Sequence, residues 1–411
     1  MENVIRKLSM TLVVAVCVIC LIGCGKKSTG KTEPEAEQGN DVNYHSMDYR
    51  SQFLTEDYAL YMSNIGFGRL QLFDVKSRQN MVFCFDPGCE HKRAVASADG
   101  TAKESCIAYT FSGAVMLRNG RLYFLSDSGD VMCADEKGEN RRKIGSIPSY
   151  IRAGYRVFFT DDYLYVIWEN PYEMVETTDG SGQTQWIVGA PKETQDCGIW
   201  QVNLKDGTGR EVFRKETYNA YVYSYDMRQG HLYFSYLYQE IKEPENLSYE
   251  EHIEFWKDKE DRKLMEVYDY DTNSGELRLI LNRKTWGEIC FCKESFAMED
   301  ADGGVGLYRY NGERFQRYDF TTPNMVWTES GFVCGSYNKE TGNTDYRLID
   351  EKSGEIVRSV SFPWDSFIAQ AILKESCYGM LKSDLGTDCG YVPTEDFWKG
   401  DFSNAVPFLV N

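Results

Sequence analysis

Residues 267–280 read VYDYDTNSGELRLI and residues 346–360 read YRLIDEKSGEIVRSV: an apolar-rich run, a tight polar turn, then a second such run. No other feature restricts the fold as strongly, because the pattern recurs along the chain. It returns as LQLFDVKSRQNMVFCF (70–85), VMCADEKGENRRKI (131–144), IWQVNLKDGTGREVF (199–213) and LYRYNGERFQRY (307–318). Asp, Asn, Gly, Lys and Ser fill the turns, as hairpin geometry prefers. A second motif precedes the hairpins: GRLYFLS (120–126), YLYVIWE (163–169), GHLYFSY (230–236) and, more weakly, GFVCGSY (331–337). Each follows another extended stretch, such as YRVFFTDD (155–162), so the repeating unit has four strands.

The spacing of the units points to their arrangement. The turn residues Asp271, Asn311 and Asp350 lie 40 and 39 positions apart, which suits a propeller blade of ~40–45 residues. Asp74, Asp135, Asn203 and Asp271 lie 61, 68 and 68 apart, the same unit lengthened by insertions. The expected fold is therefore all-β: a β-propeller of seven four-stranded blades, with six or eight as alternatives. The blades fall at about 47–85, 107–145, 150–216, 218–284, 286–320, 324–362 and 366–411. Radial repetition protects most strand edges without helices.

The insertions mark where recognition is expected. Blade 3 carries one at about 170–196 and blade 4 one at about 239–263, both between the second and third strands. CFDPGCEH (84–91) and the segment to Cys106 fall between the last strand of blade 1 and the first of blade 2. In a propeller these two kinds of connection emerge on one face, and loops on a rigid scaffold commonly carry function. Ser248 with Glu251 forms a capping box, so a short helix is expected in the blade 4 insertion. Tyr249, Ile253 and Trp256 follow at helical spacing and should form an apolar stripe docked on the rim; a lid or partner-docking helix is the alternative. Trp186, Tyr249 and Trp256 are the candidate ligand-face residues.

Cys84, Cys89, His91 and Cys106 are the candidate chemical cluster. Three thiolates and an imidazole can complete a tetrahedral zinc site, and the Pro87-Gly88 turn would bring Cys84 and Cys89 together. The C-x4-C-x-H-x14-C spacing is not a common zinc ribbon. A disulfide from Cys106 to Cys84 or Cys89 and a set of free buried thiols are the other readings, and spacing does not choose among them. Elsewhere, Cys290 and Cys292 alternate along one strand, and Cys133, Cys197 and Cys334 read as small buried hydrophobes. Cys377 and Cys389 flank a hairpin and are placed to pair.

Catalytic motifs are sparse. His91 aside, the histidines are His45 in a polar segment, His231 at the start of a strand and His252 on the expected helix. Neither G-x-S-x-G nor H-E-x-x-H occurs. Asp161-Asp162 and Asp300/Asp302 fall where turns favour Asp. DTNSGE (271–276) has too few ligands for a calcium loop. Tyr and Trp residues on strands fill space between blades more often than they stack on sugars. No catalytic residue is assigned.

The N-terminus suggests an address. Arg6 and Lys7 precede an apolar run from Met10 to Ile22, shorter than the ~20 residues of a membrane span, as in a secretory signal. It ends in Leu21-Ile22-Gly23-Cys24, which resembles the lipobox of bacterial lipoproteins. The resemblance implies a signal peptide over 1–23, cleavage before Cys24 and a diacylglycerol on its sulfur. Polar residues 25–46 would form a tether and 47–411 the propeller domain. The GxLYF strands, D-x-x-SGE hairpins and lipobox together resemble propeller lipoproteins of Gram-positive bacteria, within the group of quinoprotein-like and TolB-like repeats. YVPTEDFWKGDFSNAVPF (391–408) looks like their last blade. This implies an extracytoplasmic location on the cell membrane and brings no catalytic residue. A net charge of −18 opposes nucleic-acid binding and adhesion to anionic membranes, so the lipid would hold the chain there. The expected role is binding of a protein or glycan. A surface hydrolase or lyase acting on glycans, and a scaffold in an envelope assembly complex, are the alternatives.

Overall fold

A computed structural model describes residues 52–408, apart from 64–68, 92–105, 110–114, 127, 152–154, 179–183, 245–246, 285, 301–302, 321–323 and 384–385. The expected signal, tether and lipid site at Cys24, with His45 and Asp302, lie outside the described residues. The described chain is almost entirely antiparallel β-structure in six sheets.

The first sheet is a meander of β1 (Gln52–Leu54), β2 (Tyr58–Ser63), β3 (Arg69–Asp74) and β4 (Gln79–Val82). The second repeats it with β5 (Val115–Arg118), β6 (Arg121–Leu125), β7 (Asp130–Asp135) and β8 (Arg142–Ser146). The third has seven strands: β9 (Tyr155–Phe159), β10 (Tyr163–Thr178), β11 (Thr184–Asn203), β12 (Gly209–Arg228), β13 (His231–Gln239), β14 (Lys263–Asp271) and β15 (Leu277–Arg283). The fourth comprises β16 (Ile289–Phe291), β17 (Ser295–Glu299), β18 (Val305–Arg309) and β19 (Arg314–Tyr318). The fifth comprises β20 (Asn324–Thr328), β21 (Gly331–Asn338), β22 (Asn343–Ile349) and β23 (Ile356–Pro363). The sixth comprises β24 (Phe367–Ile372), β25 (Ser376–Ser383), β26 (Gly386–Pro393) and β27 (Val406–Pro407).

The seven-stranded sheet departs from the expected separation of blades 3 and 4. β12 is one continuous strand: residues 209–217 pair with β11, and residues from Tyr218 to Arg228 pair with β13. Its first half closes one four-stranded meander and its second half opens the next. The run REVFRKETYNAYVYSYDMR contains no proline and no glycine and stays strand through the junction, where Asn219 takes a left-handed φ of 43° and the pairing with β13 shifts register between Tyr218 and Tyr221.

Each hairpin read from the sequence joins the last two strands of a meander. Asp271 Oδ1 accepts the Asn273 N–H at 2.8 Å, and the Gly275 N–H donates to the Asp271 carbonyl at 2.8 Å. Asp350 Oδ1 accepts the Ser353 N–H at 2.7 Å, and the Gly354 N–H donates to the Asp350 carbonyl at 2.9 Å. Gly275 and Gly354 have φ of 78° and 73°, which a side chain would disfavour. The D-x-x-SGE sequence is thus a turn signature.

The sheets pack face on face. Leu60 and Leu70 of the first share a core with Met116 and Phe124 of the second, and with Val166 and Trp168 of the third. Tyr233 and Val267 of the third pack on Phe291 and Phe296 of the fourth. Leu307 of the fourth meets Phe332 and Ile349 of the fifth, and Val333 of the fifth meets Phe367 and Cys377 of the sixth. Tyr378, Tyr391 and Phe408 of the sixth return to Tyr61 and Phe73 of the first. Opening strands of successive meanders are also bonded: Arg228 Nη2 donates to the Phe291 carbonyl at 3.1 Å and Asn324 Nδ2 to the Ala369 carbonyl at 2.6 Å. Four-stranded meanders stacked in this way, first strand beside first strand, are a propeller-like arrangement.

Two α-helices occur among the described residues. The first, α1 (Tyr249–Trp256), is the expected one and carries the capping box: the Glu251 N–H donates to Ser248 Oγ at 3.2 Å, and the Ser248 N–H donates to Glu251 Oε2 at 2.8 Å. The second, α2 (Thr394–Phe397), is a single turn between β26 and β27 that buries Phe397, and the repeat gave no sign of it. Among the described residues no helix is long and apolar enough to cross a membrane.

Candidate functional site

The CFDPGCEH segment leaves β4 at the end of the first sheet nearest the Ser63–Arg69 pair. Phe83 is buried and its N–H donates to the Leu70 carbonyl at 3.0 Å, so the chain enters the segment from a fixed point. Asp86, Pro87, Gly88 and Cys89 then form a turn. The Gly88 N–H donates to Asp86 Oδ1 at 2.8 Å and the Cys89 N–H to the Asp86 carbonyl at 3.1 Å, with Pro at the position whose φ it fixes. His91 adopts a left-handed φ of 52°, and its N–H points at Cys89 Sγ, 3.4 Å away. Cys106 arrives from the other side. It is buried and heads a 3-10 turn, Ile107–Tyr109, whose Ala108 is fully buried and whose Ile107 packs on the core of the first three sheets.

These pieces bring the four sequence candidates together. One ligand atom each from Cys84, Cys89, His91 and Cys106 lies within 4.8 Å of every other, and Cys106 Sγ is 3.7 Å from His91 Nδ1. A tetrahedral ion with sulfur at ~2.3 Å and nitrogen at ~2.0–2.1 Å separates its ligand atoms by roughly 3.6–3.8 Å. Cys84, Cys89 and Cys106 are free thiols. Burial raises the Cys84 thiol above its ordinary range, and burial, then the neighbouring thiols, push Cys106 up to about 12. A cation is what would let such thiols ionise together.

The remaining cysteines are structural. Cys133, Cys197 and Cys334 are buried in strands, and Cys290 and Cys292 are buried in one core cluster. The expected pairing of Cys377 with Cys389 does not occur. Cys377 lies opposite Val392 and Cys389 opposite Met380, an odd offset that puts them on opposite sheet faces, against different cores.

The insertions differ from simple loops. Residues 170–196 continue β10 and β11 outward as a two-stranded arm, paired from Tyr172–Pro191 through Val175–Ile187 to Thr178–Thr184. Its register shifts between Asn170 and Met174, beside Pro171 and opposite Pro191. Val, Ile, Thr and Trp make such an arm favourable as strand. Trp186 sits on it, in register with Glu176. The second insertion carries α1, whose buried residue is Trp256. That side chain is 2 % exposed, its Nε1 donates to Glu243 Oε2 at 2.9 Å, and Lys263 Nζ lies 4.9 Å from its ring. Tyr249 and Ile253, expected to pack with it, are 76 % and 50 % exposed. Capping and spacing define a helical face, but only one of its three apolar residues meets the sheet. Arm and helix insertion lie side by side, with Lys242 Nζ 3.8 Å from Glu193 Oε1.

Four buried carboxylates, of which the sequence reading placed Asp300 in a turn, are matched by cations or hydroxyls. Asp300 is in a turn, but it also accepts from Tyr308 Oη at 2.6 Å and Arg314 Nη1 at 3.0 Å. Asp269 lies between His231 Nδ1 at 2.7 Å and Arg278 Nη2 at 2.8 Å. Glu266 accepts from Lys215 Nζ at 2.5 Å and Tyr268 Oη at 2.6 Å. Asp226 holds Arg228, whose guanidinium stacks 4.1 Å from the Trp327 ring centroid. Asp161 pairs with Arg118, and His252 bonds Glu243. Such pairs fit internal neutralisation of charge.

No protein-family model matches the chain, and no curated protein matches it in sequence. Among solved structures it is similar to puromycin hydrolase, with 12 % identity, a TM-score of 0.48 and coverage of 88 % of this chain and 53 % of that one. It is similar to Porphyromonas gingivalis dipeptidyl peptidase 4, with 10 % identity, a TM-score of 0.44 and coverage of 85 % and 49 %. It is also similar to BamB from Moraxella catarrhalis, with 11 % identity, a TM-score of 0.39 and coverage of 85 % and 84 %. The chain spans about half the length of the first two. At these identities the likeness concerns fold alone.

Proposed function

We propose that the chain is an extracytoplasmic, lipid-anchored propeller of seven blades that works by binding. Counting β12 as the last strand of one blade and the first of the next gives seven four-stranded units. The core shared by the first and sixth sheets supports closure of that series. Attachment through Cys24 rests on the resemblance of residues 21–24 to a lipobox.

One observation carries the binding reading. The arm and the α1 insertion each join the second and third strands of a meander, and they touch through Lys242 and Glu193. The 84–106 crossing leaves the first sheet at its corresponding end. A projecting hairpin and a helix with exposed Tyr249 and Ile253 suit a protein partner better than a narrow glycan cleft. The pairing of Asp226, Glu266, Asp269 and Asp300 with cations disfavours a glycan hydrolase or lyase built on those four, since it needs an acid or base free to exchange protons.

The test is removal of residues 172–190, with a tight turn joining the shortened β10 and β11. The truncated chain is expected to melt as wild type does and to lose saturable binding to envelope material. Unchanged binding by a folded truncation contradicts the proposal; binding that survives removal of protein from the envelope but is lost on removal of glycan would move the ligand class to glycan.

A further inference from the structure

We infer that Cys84, Cys89, His91 and Cys106 hold one zinc ion in a closed structural site that pins the crossing between the first and second sheets. Four observations on the molecule converge. The donor atoms lie within 4.8 Å of one another, with Cys106 Sγ already 3.7 Å from His91 Nδ1. Their types, three sulfurs and one imidazole nitrogen with no oxygen, suit a borderline-soft ion that accepts tetrahedral geometry. Four protein ligands leave no position for water or substrate, which is the mark of a structural ion. The backbone is shaped for it: the Asp86–Cys89 turn folds Cys89 back toward Cys84, and His91 takes a left-handed φ of 52°.

A single disulfide would use two of the three thiols and leave one thiol and the imidazole beside it. Zinc uses all four donors. Binding exchanges one Zn2+ for three thiol protons and leaves a local charge of about −1. The two ends being joined differ in character. Cys84, Cys89 and His91 sit on a half-exposed turn, whereas Cys106 heads a 3-10 turn seated in the core. The ion therefore fastens the crossing to the core at Cys106, before the chain reaches β5. This site is independent of the binding reading and stands or falls without it.

The full-length chain, extracted from membranes in detergent with reductant and dialysed in metal-free buffer, is analysed for metal. About one zinc per chain is expected. Cys84→Ser, Cys106→Ser and His91→Ala are expected to lose it, weakening the metal by at least about tenfold, while Cys133→Ser keeps it. Cobalt added to the chelated protein should give tetrahedral d–d bands with thiolate charge transfer. Chelation should make three further thiols reactive in the wild type, a readout that does not depend on any variant folding. Three results would overturn the inference. One is reduced wild type with neither zinc nor cobalt bands. Another is metal retained by both Cys106→Ser and His91→Ala. The third is a Cys106 disulfide to Cys84 or Cys89 in protein whose thiols were blocked at lysis.

Discussion

Glu351 and its neighbour Asp350 show how one turn can hold two carboxylates of opposite behaviour. Asp350 is half-buried, and bonds from turn N–H groups and the Ser353 hydroxyl hold its pKa below the ordinary range. Glu351 is 5 % exposed; its Oε2 accepts the Glu294 N–H at 2.9 Å, and burial raises its pKa, with the Glu294 carboxylate adding to the shift and the Glu294 N–H and Arg228 opposing it. The signs follow from linkage. Asp350 stabilises the fold above the ordinary carboxylate range, and that contribution is lost as pH falls through its depressed pKa. Glu351, with a raised folded pKa, favours the fold most when protonated, and stability declines as pH rises through that value. Glu351→Gln keeps an oxygen acceptor and removes the ionisation. The melting temperature of E351Q relative to wild type is expected to be higher at pH 8 than at pH 4; a gap constant with pH would contradict this. Asp350 was legible in the sequence because an Asx turn is local. Glu351 was not, because its burial comes from the neighbouring fourth sheet.

At the scale of elements, local rules reached different distances. The α1 capping box depends on residues three apart, and it is present. The apolar stripe was legible as a helical face, but what lies opposite it was not. Trp256 meets Glu243 and Lys263, while Tyr249 and Ile253 face solvent. Trp256→Ala should release the helix insertion at a cost of up to about 3–5 kcal/mol, whereas Ile253→Ala should stay within about 0.5 kcal/mol. Urea unfolding, with amide exchange over 249–262, distinguishes them; equal effects would contradict the docking described. The 170–196 segment reads as an insertion because it interrupts the blade spacing. Its strand character lay in Val, Ile and Thr on either side of a Gly-rich stretch, a signal hidden by Pro171 and Pro191.

At the scale of the whole molecule, the hairpin turns located the first five sheets, since a hairpin carries its own signature, whereas the sixth was read from the resemblance of residues 391–408. The relations between sheets were less visible. Gly207, in the turn after β11, has φ of 77°, and a Cβ there would come within 1.9 Å of the Ile144 carbonyl on β8. The sequence showed a turn glycine but not the strand it abuts. The contact between the first and sixth sheets was likewise hidden, because it depends on residues 347 positions apart. Phe408 stacks on Tyr61 at 4.7 Å, and Tyr61 Oη donates to the Phe408 carbonyl at 3.2 Å. Phe408→Ala should therefore destabilise the first sheet as well as the sixth, by about 3–5 kcal/mol. Loss of amide protection confined to the sixth sheet would contradict closure. The binding claim itself meets its most direct test in photo-crosslinking on living cells. A crosslinking residue is placed singly at Trp186, Tyr249 and Ile253, and as controls at Ser274 and Ser353 in turns at the opposite sheet ends. The account predicts one common adduct from the first three positions and none from the controls. Adducts from Ser274 or Ser353 with none from the arm and helix would contradict it.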